Sequence, residues 1–180
     1  MNIIIVIAMQ GTPPRDFPSS EVAELFTLHT QLEHTYNSKP EPLKRRYTEL
    51  DKKIRNWPRT EHSDPIVATS HNLSVFIKQV TGYEVIVAFS EYISPSVGEA
   101  LDLAIRKGAD KVIVTSTIMA CTGADSEMEI AIAIERAQAR HIGIPIVYAW
   151  PFEISEVTRF LTAHLSRFIS GRVADDKFVE

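Results

Sequence analysis

Three polar side chains that could take part in metal or proton chemistry follow three separate apolar runs. Gln10 follows the run 3–8, Glu91 follows the run 84–89, and Asp125 lies downstream of the run 111–115. A carboxylate can ligate a divalent metal ion or accept a proton, whereas the amide of glutamine does not titrate in the useful range. Glu91 and Asp125 are therefore candidate catalytic residues and metal ligands, and Gln10 is a third polar candidate for the same site.

Each of these residues also has an ordinary structural explanation. Glu91 could cap the helix that follows, and a carboxylate such as Asp125 near a helix start is favoured by the helix dipole. The segment after Gln10 could be a simple strand-to-helix turn, which Gly and Pro favour. Local chemistry leaves both explanations open at all three positions.

Small and hydroxyl-bearing residues on the same segments are candidates for binding a ligand. Gly11 would let the backbone approach a ligand closely, and Gly123 is a second flexible point. Thr12, Ser90 and Thr117 each offer a hydroxyl group. We therefore expect these five residues to contribute to a substrate site.

Four short runs rich in Ile and Val predict the strands that position these residues. The runs are nearly continuous rather than alternating, which is typical of strands covered on both faces. They are Ile3–Ala8, Glu84–Phe89, Lys111–Thr115 and Pro145–Ala149.

Helical periodicity separates these runs and follows the last one. A helix is predicted after Pro18, another over Glu41–Trp57, and a third that stops at Gly82. These three helices all lie between the first strand and the second.

The second half of the chain predicts three more helices from local signals. Ser94-Pro95 would open one with proline at its first position, and Ser126 with Glu129 would form the capping box of the next. The last helix would start at Ser155 and carry an apolar stripe of Val157, Leu161, Leu165 and Phe168.

The predicted order β-α-α-α-β-α-β-α-β-α indicates an α/β fold, a doubly wound parallel sheet of four strands with helices on both faces. We expect the strand order 2-1-3-4 in this sheet. In such sheets ligands bind beyond the carboxyl ends of the strands, where the strand order reverses. Four segments qualify: 9–17, 90–95, 116–125 and 150–153. Gln10, Glu91 and Asp125 should converge there.

Composition limits the domain organisation and the partners. The chain has 180 residues, 44% of them hydrophobic, and a net charge of −4, which suits one domain over 1–170 with a polar tail at 171–180. A helical insertion at about 41–57 could form a lid or a dimer contact. The charge gives no nucleic-acid footprint, and the apolar N-terminus lacks the layout of a signal peptide or a membrane span. We expect a cytoplasmic protein without nucleic-acid or membrane partners.

Several functional motifs are absent. Neither the dinucleotide nor the P-loop glycine pattern occurs, and there is no nucleophile elbow, so no organic cofactor is predicted. The single cysteine excludes a disulfide framework within the chain. None of the six histidines falls on the four strand-end segments, which argues against a histidine triad or a zinc site there.

The strand-end segments resemble the CbiX-type sirohydrochlorin cobaltochelatases of the class II chelatase superfamily. The resemblance covers most of the chain. It rests on Ala8-Met9-Gln10-Gly11-Thr12, on Val87-Ala88-Phe89-Ser90-Glu91-Tyr92 followed by Pro95-Ser96, and on Gly123-Ala124-Asp125-Ser126-Glu127-Met128-Glu129-Ile130. It implies a site in which two loop histidines and a glutamate face the metal and the central nitrogens of a tetrapyrrole.

This sequence departs from the family at both histidines. Gln10 and Asp125 stand where the family has them, and only Glu91 matches. A neutral imidazole can hold a divalent ion and accept a proton near pH 7, and glutamine cannot replace it as a base. A pair formed by Glu91 and Asp125 could still ligate a hard or borderline divalent ion.

Three hypotheses follow. The chain could be an enzyme that inserts a divalent metal, cobalt or iron, into a sirohydrochlorin-like tetrapyrrole in cobalamin or siroheme biosynthesis, with the metal as a substrate. It could be a non-enzymatic protein that binds a tetrapyrrole or a metal on a degenerate chelatase scaffold. It could also be an unrelated use of a doubly wound domain. The resemblance further implies a homodimer.

Overall fold

A computed structural model of the chain describes residues 1–33, 40–60, 63–119 and 125–169, without the side chains of Glu33, Asp125 and Ser126. The described residues form a sheet of four parallel strands in the order β2-β1-β3-β4. The strands are β1 (Ile3–Met9), β2 (Glu84–Phe89), β3 (Lys111–Ser116) and β4 (Ile146–Tyr148). The predicted fold class and strand order are confirmed.

Three helices, α1 to α3, lie between β1 and β2, and α4 to α6 follow the later strands. Their bounds are α1 Ser19–Glu33, α2 Glu41–Arg55, α3 Pro65–Thr81, α4 Val97–Arg106, α5 Asp125–Arg140 and α6 Ile154–Ile169. The predicted stop of α3 is confirmed, because Gly82 caps it in the left-handed conformation with φ of 74°.

Apolar side chains cover both faces of the sheet at its centre, which accounts for the continuous Ile and Val runs. On one face Val6 and Val114 pack with Leu101 of α4 and Ile130 of α5. On the other face the neighbouring strand residues pack against α3. That second cluster comprises Ile7, Met9, Phe89 and Ile93 with Ile66, Leu73 and Ile77.

Helices α1 and α2 have a small core of their own beside the sheet. Its buried residues are Phe17, Leu25, Leu28, Leu50 and Ile54. The ring of Trp57 meets that of Phe17 edge-on at 4.9 Å. Trp57 was predicted inside the second helix, but α2 ends at Arg55 and Trp57 packs from the segment that follows.

Two predicted helix starts are wrong. Helix α4 begins at Val97, and Ser96 caps it in a reciprocal capping box with Glu99. Pro95 is not in the helix, because its carbonyl accepts a hydrogen bond from the Phe89 amide at 2.9 Å and so stays beside β2. Helix α5 already includes Asp125, so Ser126 lies within its first turn rather than at the N-cap.

The last helix also differs from its expectation. Its apolar stripe is present, but α6 contains no buried residue. Leu161, Leu165 and Phe168, expected to cover the core, are all exposed. Across the described parts of the chain, no helix combines the length and apolar character needed to cross a bilayer.

Candidate functional site

The loop that carries Glu91 is tied to the end of β1. The Ser90 amide donates to the Met9 carbonyl at 2.9 Å, which extends the β1–β2 pairing by one residue. On the other side of the loop, Gly11 packs against Glu91. A Cβ atom on Gly11 would lie 2.0 Å from the Glu91 carbonyl oxygen. Gly11 therefore lets the β1–α1 loop approach the backbone of Glu91, whereas the sequence suggested that it would approach a ligand.

Arg55, the last residue of α2, holds the same loop by its backbone. Its guanidinium donates to the Ser90 carbonyl and to the Ile93 carbonyl, each at 3.0 Å. The side chain of Asp51, one turn earlier on α2, accepts from Arg55 at 2.9 Å and orients it. Helix α2, the predicted helical insertion, thus supports the Glu91 loop. This role differs from the lid and the dimer contact that the sequence suggested.

Arg59 joins the β1–α1 loop to the Glu91 loop. It donates to the Thr12 carbonyl at 3.0 Å and to the Tyr92 carbonyl, and it forms a buried ion pair with Asp64. Tyr92 has a φ of 55°, the left-handed region that non-glycine residues rarely adopt. The hydrogen bond from Arg59 helps to hold this conformation, in which Glu91 and Ile93 face different neighbours.

A cavity of about 680 Å³ opens beside the Glu91 loop, between the α1–α2 pair and helices α4 and α5. Its volume lies within the roughly 300–1,000 Å³ range of small-molecule sites. Four cationic side chains line it: Lys44, Arg55, Arg136 and Arg140. Lys44 pairs with Glu41 and Arg140 with Asp102, whereas Arg136 has no ion pair within the described residues. The wall therefore presents positive charge to a ligand.

Ser90 lines the same cavity. Its Oγ atom is buried and has no hydrogen-bond partner among the described residues. A buried hydroxyl without a partner carries a desolvation cost that a ligand could relieve. The structure thus places this predicted substrate-binding residue where it can meet a ligand.

A second, smaller cavity of about 40 Å³ adjoins the large one. Both are lined by His29, Tyr47, Arg55 and Glu129, while Glu91 lines only the small one. The ring of His29 stacks on that of Tyr47 at 5.9 Å. Glu91, Glu129 and His29 therefore border one space together with the Asp51–Arg55 pair, and this space has room for an ion or a few water molecules.

The pKa of Glu129, which lies where the two cavities meet, is unusually high for a carboxyl group. Burial, and after it the nearby charge of Glu91, raise its pKa to about 7, although His29 and Arg55 act in the opposite direction. A carboxyl group with this pKa exchanges its proton at neutral pH, as a general base must. Burial also raises the pKa of Tyr47 to about 12, so its hydroxyl stays protonated beside the carboxylates.

Other sequence-predicted residues do not reach these cavities. Gln10, Thr12 and Thr117 are exposed, and none of them lines the large or the small cavity. Thr12 contributes its carbonyl to Arg59, and the Thr117 amide donates to the Ala8 carbonyl at 3.3 Å. These contacts give Thr12 and Thr117 structural roles in the loops.

The predicted metal pair of Glu91 and Asp125 stays a prediction. Asp125 starts α5 beyond the carboxyl end of β3, but its side chain is outside the described part of the structure, and so is Gly123. Within the described residues, no three His, Cys, Asp or Glu side chains are grouped as metal ligands.

His29 and Glu129 are the residues that sequence reasoning missed. His29 was set aside because it lies in a helix, and Glu129 was interpreted as a capping partner. The sequence signal that could have found Glu129 is a stripe of residues along α5. The cavity-facing residues of α5 follow helical spacing: Glu129, Ile132, Ala133, Arg136 and Arg140. A stripe that mixes charged and apolar residues beside a separate buried stripe indicates a cavity wall.

Comparison with known proteins identifies the family of this chain. The sequence model of the CbiX family matches residues 68–166, which is more than half of the chain. No curated protein matches. Among solved structures, the chain is similar to a CbiX protein from Marinobacter aquaeolei VT8, solved at 1.60 Å and provisionally assigned to cobalamin (vitamin B12) biosynthesis. The two are 14% identical, with 96% of this chain and 98% of that chain covered and a TM-score of 0.46. The family match shows that this chain belongs to the CbiX family.

Proposed function

We propose that the protein is a chelatase that inserts a divalent metal ion, cobalt or iron, into a sirohydrochlorin-like tetrapyrrole in the cytoplasm, as a step of cobalamin or siroheme biosynthesis. The observation that carries this proposal is the pair of adjoining cavities. A large space lined by cations meets a small space bordered by Glu91, Glu129 and His29. The first suits a ring with carboxylate substituents, and the second suits the metal ion and the protons it displaces.

The large cavity supplies the binding chemistry for the ring. A sirohydrochlorin-type macrocycle carries carboxylate side chains on its rim, and charge-assisted hydrogen bonds from arginine to carboxylate are among the strongest in proteins. Arg136 lies about two turns and Arg140 about three turns from Glu129 on α5, so a ring held by them extends along α5 towards the junction. The apolar wall of Ile132 and Ala133 on the same helix can contact the ring plane.

The small cavity supplies the proton chemistry. Insertion of a divalent ion releases two protons from the pyrrole nitrogens, so the site needs groups that accept protons near pH 7. The family type of site uses imidazoles, and Gln10 cannot serve in that role. Glu129, with its pKa raised to about 7, can do so. Glu91 and the imidazole of His29 can hold the incoming ion weakly, a donor set compatible with cobalt or iron.

A non-enzymatic tetrapyrrole carrier is the second candidate. It is favoured by the replacement of the first family histidine by Gln10, which is exposed and lines neither cavity. The cationic wall would bind the carboxylates of the ring without any metal transfer. The two candidates differ in whether Glu129 and Glu91 affect a rate or only an affinity.

The decisive experiment incubates the purified protein with sirohydrochlorin and Co²⁺ and follows the absorbance change of metal insertion against the protein-free rate. We expect acceleration that falls at least about tenfold in Glu129→Gln and in Glu91→Gln. Glu135→Gln is the matched control, since Glu135 is exposed on α5 and lines neither cavity. Binding of sirohydrochlorin without acceleration would favour the carrier, and the absence of both would overturn the proposed function.

A further inference from the structure

The last helix, α6, is a strongly amphipathic helix without a packing partner among the described residues. Its large apolar side chains are exposed by between 46% for Leu161 and 85% for Ile169. Together with the half-buried Val157 they recur at helical spacing and form one continuous face: Ile154, Val157, Phe160, Leu161, Leu165, Phe168 and Ile169. His164, a polar residue on this face, lies between the rings of Phe160 and Phe168 at 6.3 and 5.0 Å. An apolar face of this extent is normally buried against something.

The sheet has a matching surface that no described helix covers. Helices α4 and α5 cover one face, and α3 covers the other face over β1 and β2. On that second face the side chains of β3 and β4 lack such a cover. Ile113 and Thr115 are half-buried, and Val147 is 41% exposed. In a doubly wound sheet both faces need helices.

Helix α3 borders this uncovered surface with apolar side chains. Val67, Ser70 and Ser74 on one flank of α3 line a cavity with residues of β2. By helical geometry the opposite flank, with Phe76 exposed by 63% and Val80 by 86%, faces the β3 side. Phe76 and Val80 of α3 thus stand beside Ile113 and Val147 of the sheet, and these four apolar side chains border one groove.

Helix α6 does not cover this surface within its own chain, because it contains no buried residue. The rings of Tyr148 and Trp150 stack at 5.6 Å, and the Trp150 Nε1 atom donates to the Ile118 carbonyl at 2.9 Å. These contacts hold the connection after β4. One chain therefore contains an unpaired apolar helix and an unpaired apolar groove that do not meet.

We propose that two copies of this chain exchange their α6 helices, so that α6 of each copy lies in the groove formed by Phe76, Val80, Ile113 and Val147 of the other. A two-fold arrangement satisfies both surfaces of both copies at once. Each α6 side chain exposes on the order of 100 Å², so two exchanged helices and the grooves beneath them reach the roughly 1,200–2,000 Å² of a specific interface. The homodimer expected from the family resemblance thereby acquires a stated contact.

A lipid surface would be another occupant for an amphipathic helix, but the charges of α6 fit it poorly. Its polar face carries Arg159 and Arg167 with Glu156, whereas interfacial helices that bind anionic lipids are rich in Lys and Arg. The groove on a second copy also offers α6 an apolar protein surface. We therefore assign the second copy as the occupant.

Cross-linking between single-cysteine chains tests the exchange. In a Cys121→Ser background, a Val147→Cys chain is mixed with a Leu161→Cys chain and treated with a short bis-maleimide. We expect a cross-linked product of twice the chain mass, and little product when Thr162→Cys on the polar face replaces Leu161→Cys. A chain carrying both cysteines that cross-links only within itself, at monomer mass, would overturn the proposal.

Light scattering provides the second measurement. We expect the parent to be a dimer and Leu165→Lys to weaken the dimer at least about a hundredfold, with unchanged far-ultraviolet circular dichroism and with Thr162→Lys as the matched control. A parent that is monomeric, or a Leu165→Lys variant that dimerises like the parent, contradicts the exchange. Monomeric protein that sediments with vesicles of phosphatidylcholine and phosphatidylglycerol would instead assign α6 to membranes. None of these measurements depends on chelatase activity.

Discussion

Gly11 and the backbone carbonyl of Glu91 lie so close together that a Cβ atom on Gly11 would come within 2.0 Å of the oxygen. This contact joins the loop after β1 to the loop after β2. It places the carboxylate of Glu91 beside the small cavity through main-chain packing. Glycine is required at this position because of the space, whatever ligand the cavity takes.

Gly11→Ala is expected to destabilise the fold by about 1–3 kcal/mol, because the added methyl group must displace the Glu91 backbone. Urea unfolding measures the loss, and metal insertion should fall with it. The control for stability is Gly98→Ala, since a Cβ on Gly98 meets nothing within 4 Å and alanine is favoured over glycine in a helix. Equal unfolding free energies for Gly11→Ala and the parent would contradict the contact.

Arg59→Met should lower the free energy of unfolding by about 3–5 kcal/mol, because it leaves the buried carboxylate of Asp64 without its partner. Adding Asp64→Asn should recover part of this loss, since asparagine is uncharged and can still cap α3. Unfolding of the single and double variants checks both statements. Arg45→Met, which breaks only an exposed pair with Glu49, should cost less than about 1 kcal/mol.

Glu129 should make stability depend on pH between about 4.5 and 7. Its pKa is raised to about 7 in the folded state from an ordinary value of 4.5, so the folded state holds the proton more tightly than the unfolded state. Its contribution to stability is complete below pH 4.5 and is lost as pH rises through 7.

Glu129→Gln removes this dependence. As the pH rises from 5 to 8, the stability of the variant relative to the parent should increase by on the order of 1–2 kcal/mol. The partial exposure of Glu129 keeps this amount small. Parallel thermal unfolding of both proteins over this range provides the measurement. If the difference between them stays constant with pH, Glu129 does not titrate there.

Arg136→Gln should weaken binding of sirohydrochlorin by about three- to tenfold and reduce the salt dependence of binding, because it removes one cation from the cavity wall. Optical titration at two ionic strengths measures both effects. The matched control is Arg106→Gln, an exposed arginine at the end of α4 that lines neither cavity. If the two variants lose the same affinity, the effect is one of net charge and the cavity is not the binding site.

The fold could be predicted from sequence because its determinants are local and repeated. Each strand is a continuous Ile and Val run, and α3 stops at Gly82, the residue type that tolerates the left-handed cap. The right-handed crossovers between parallel strands then determine the face on which each connecting helix lies. Even the errors at Pro95 and Ser126 were shifts of a residue or two at helix starts, where the capping partner depends on packing next to the helix.

Only the tertiary structure brought the site together. His29 and Glu129 are a hundred positions apart in the chain and line the same cavities because α1 and α5 stand on opposite sides of them. The pKa of Glu129 depends on burial and on the charge of Glu91, neither of which a local pattern contains. In the same way, the spacing of residues on α6 predicted an apolar face. Where that face lies relative to the groove beside Val147 depends on the path of the chain after β4. A sequence determines which surfaces a helix must bury, and the three-dimensional path of the backbone decides what is near enough to bury them.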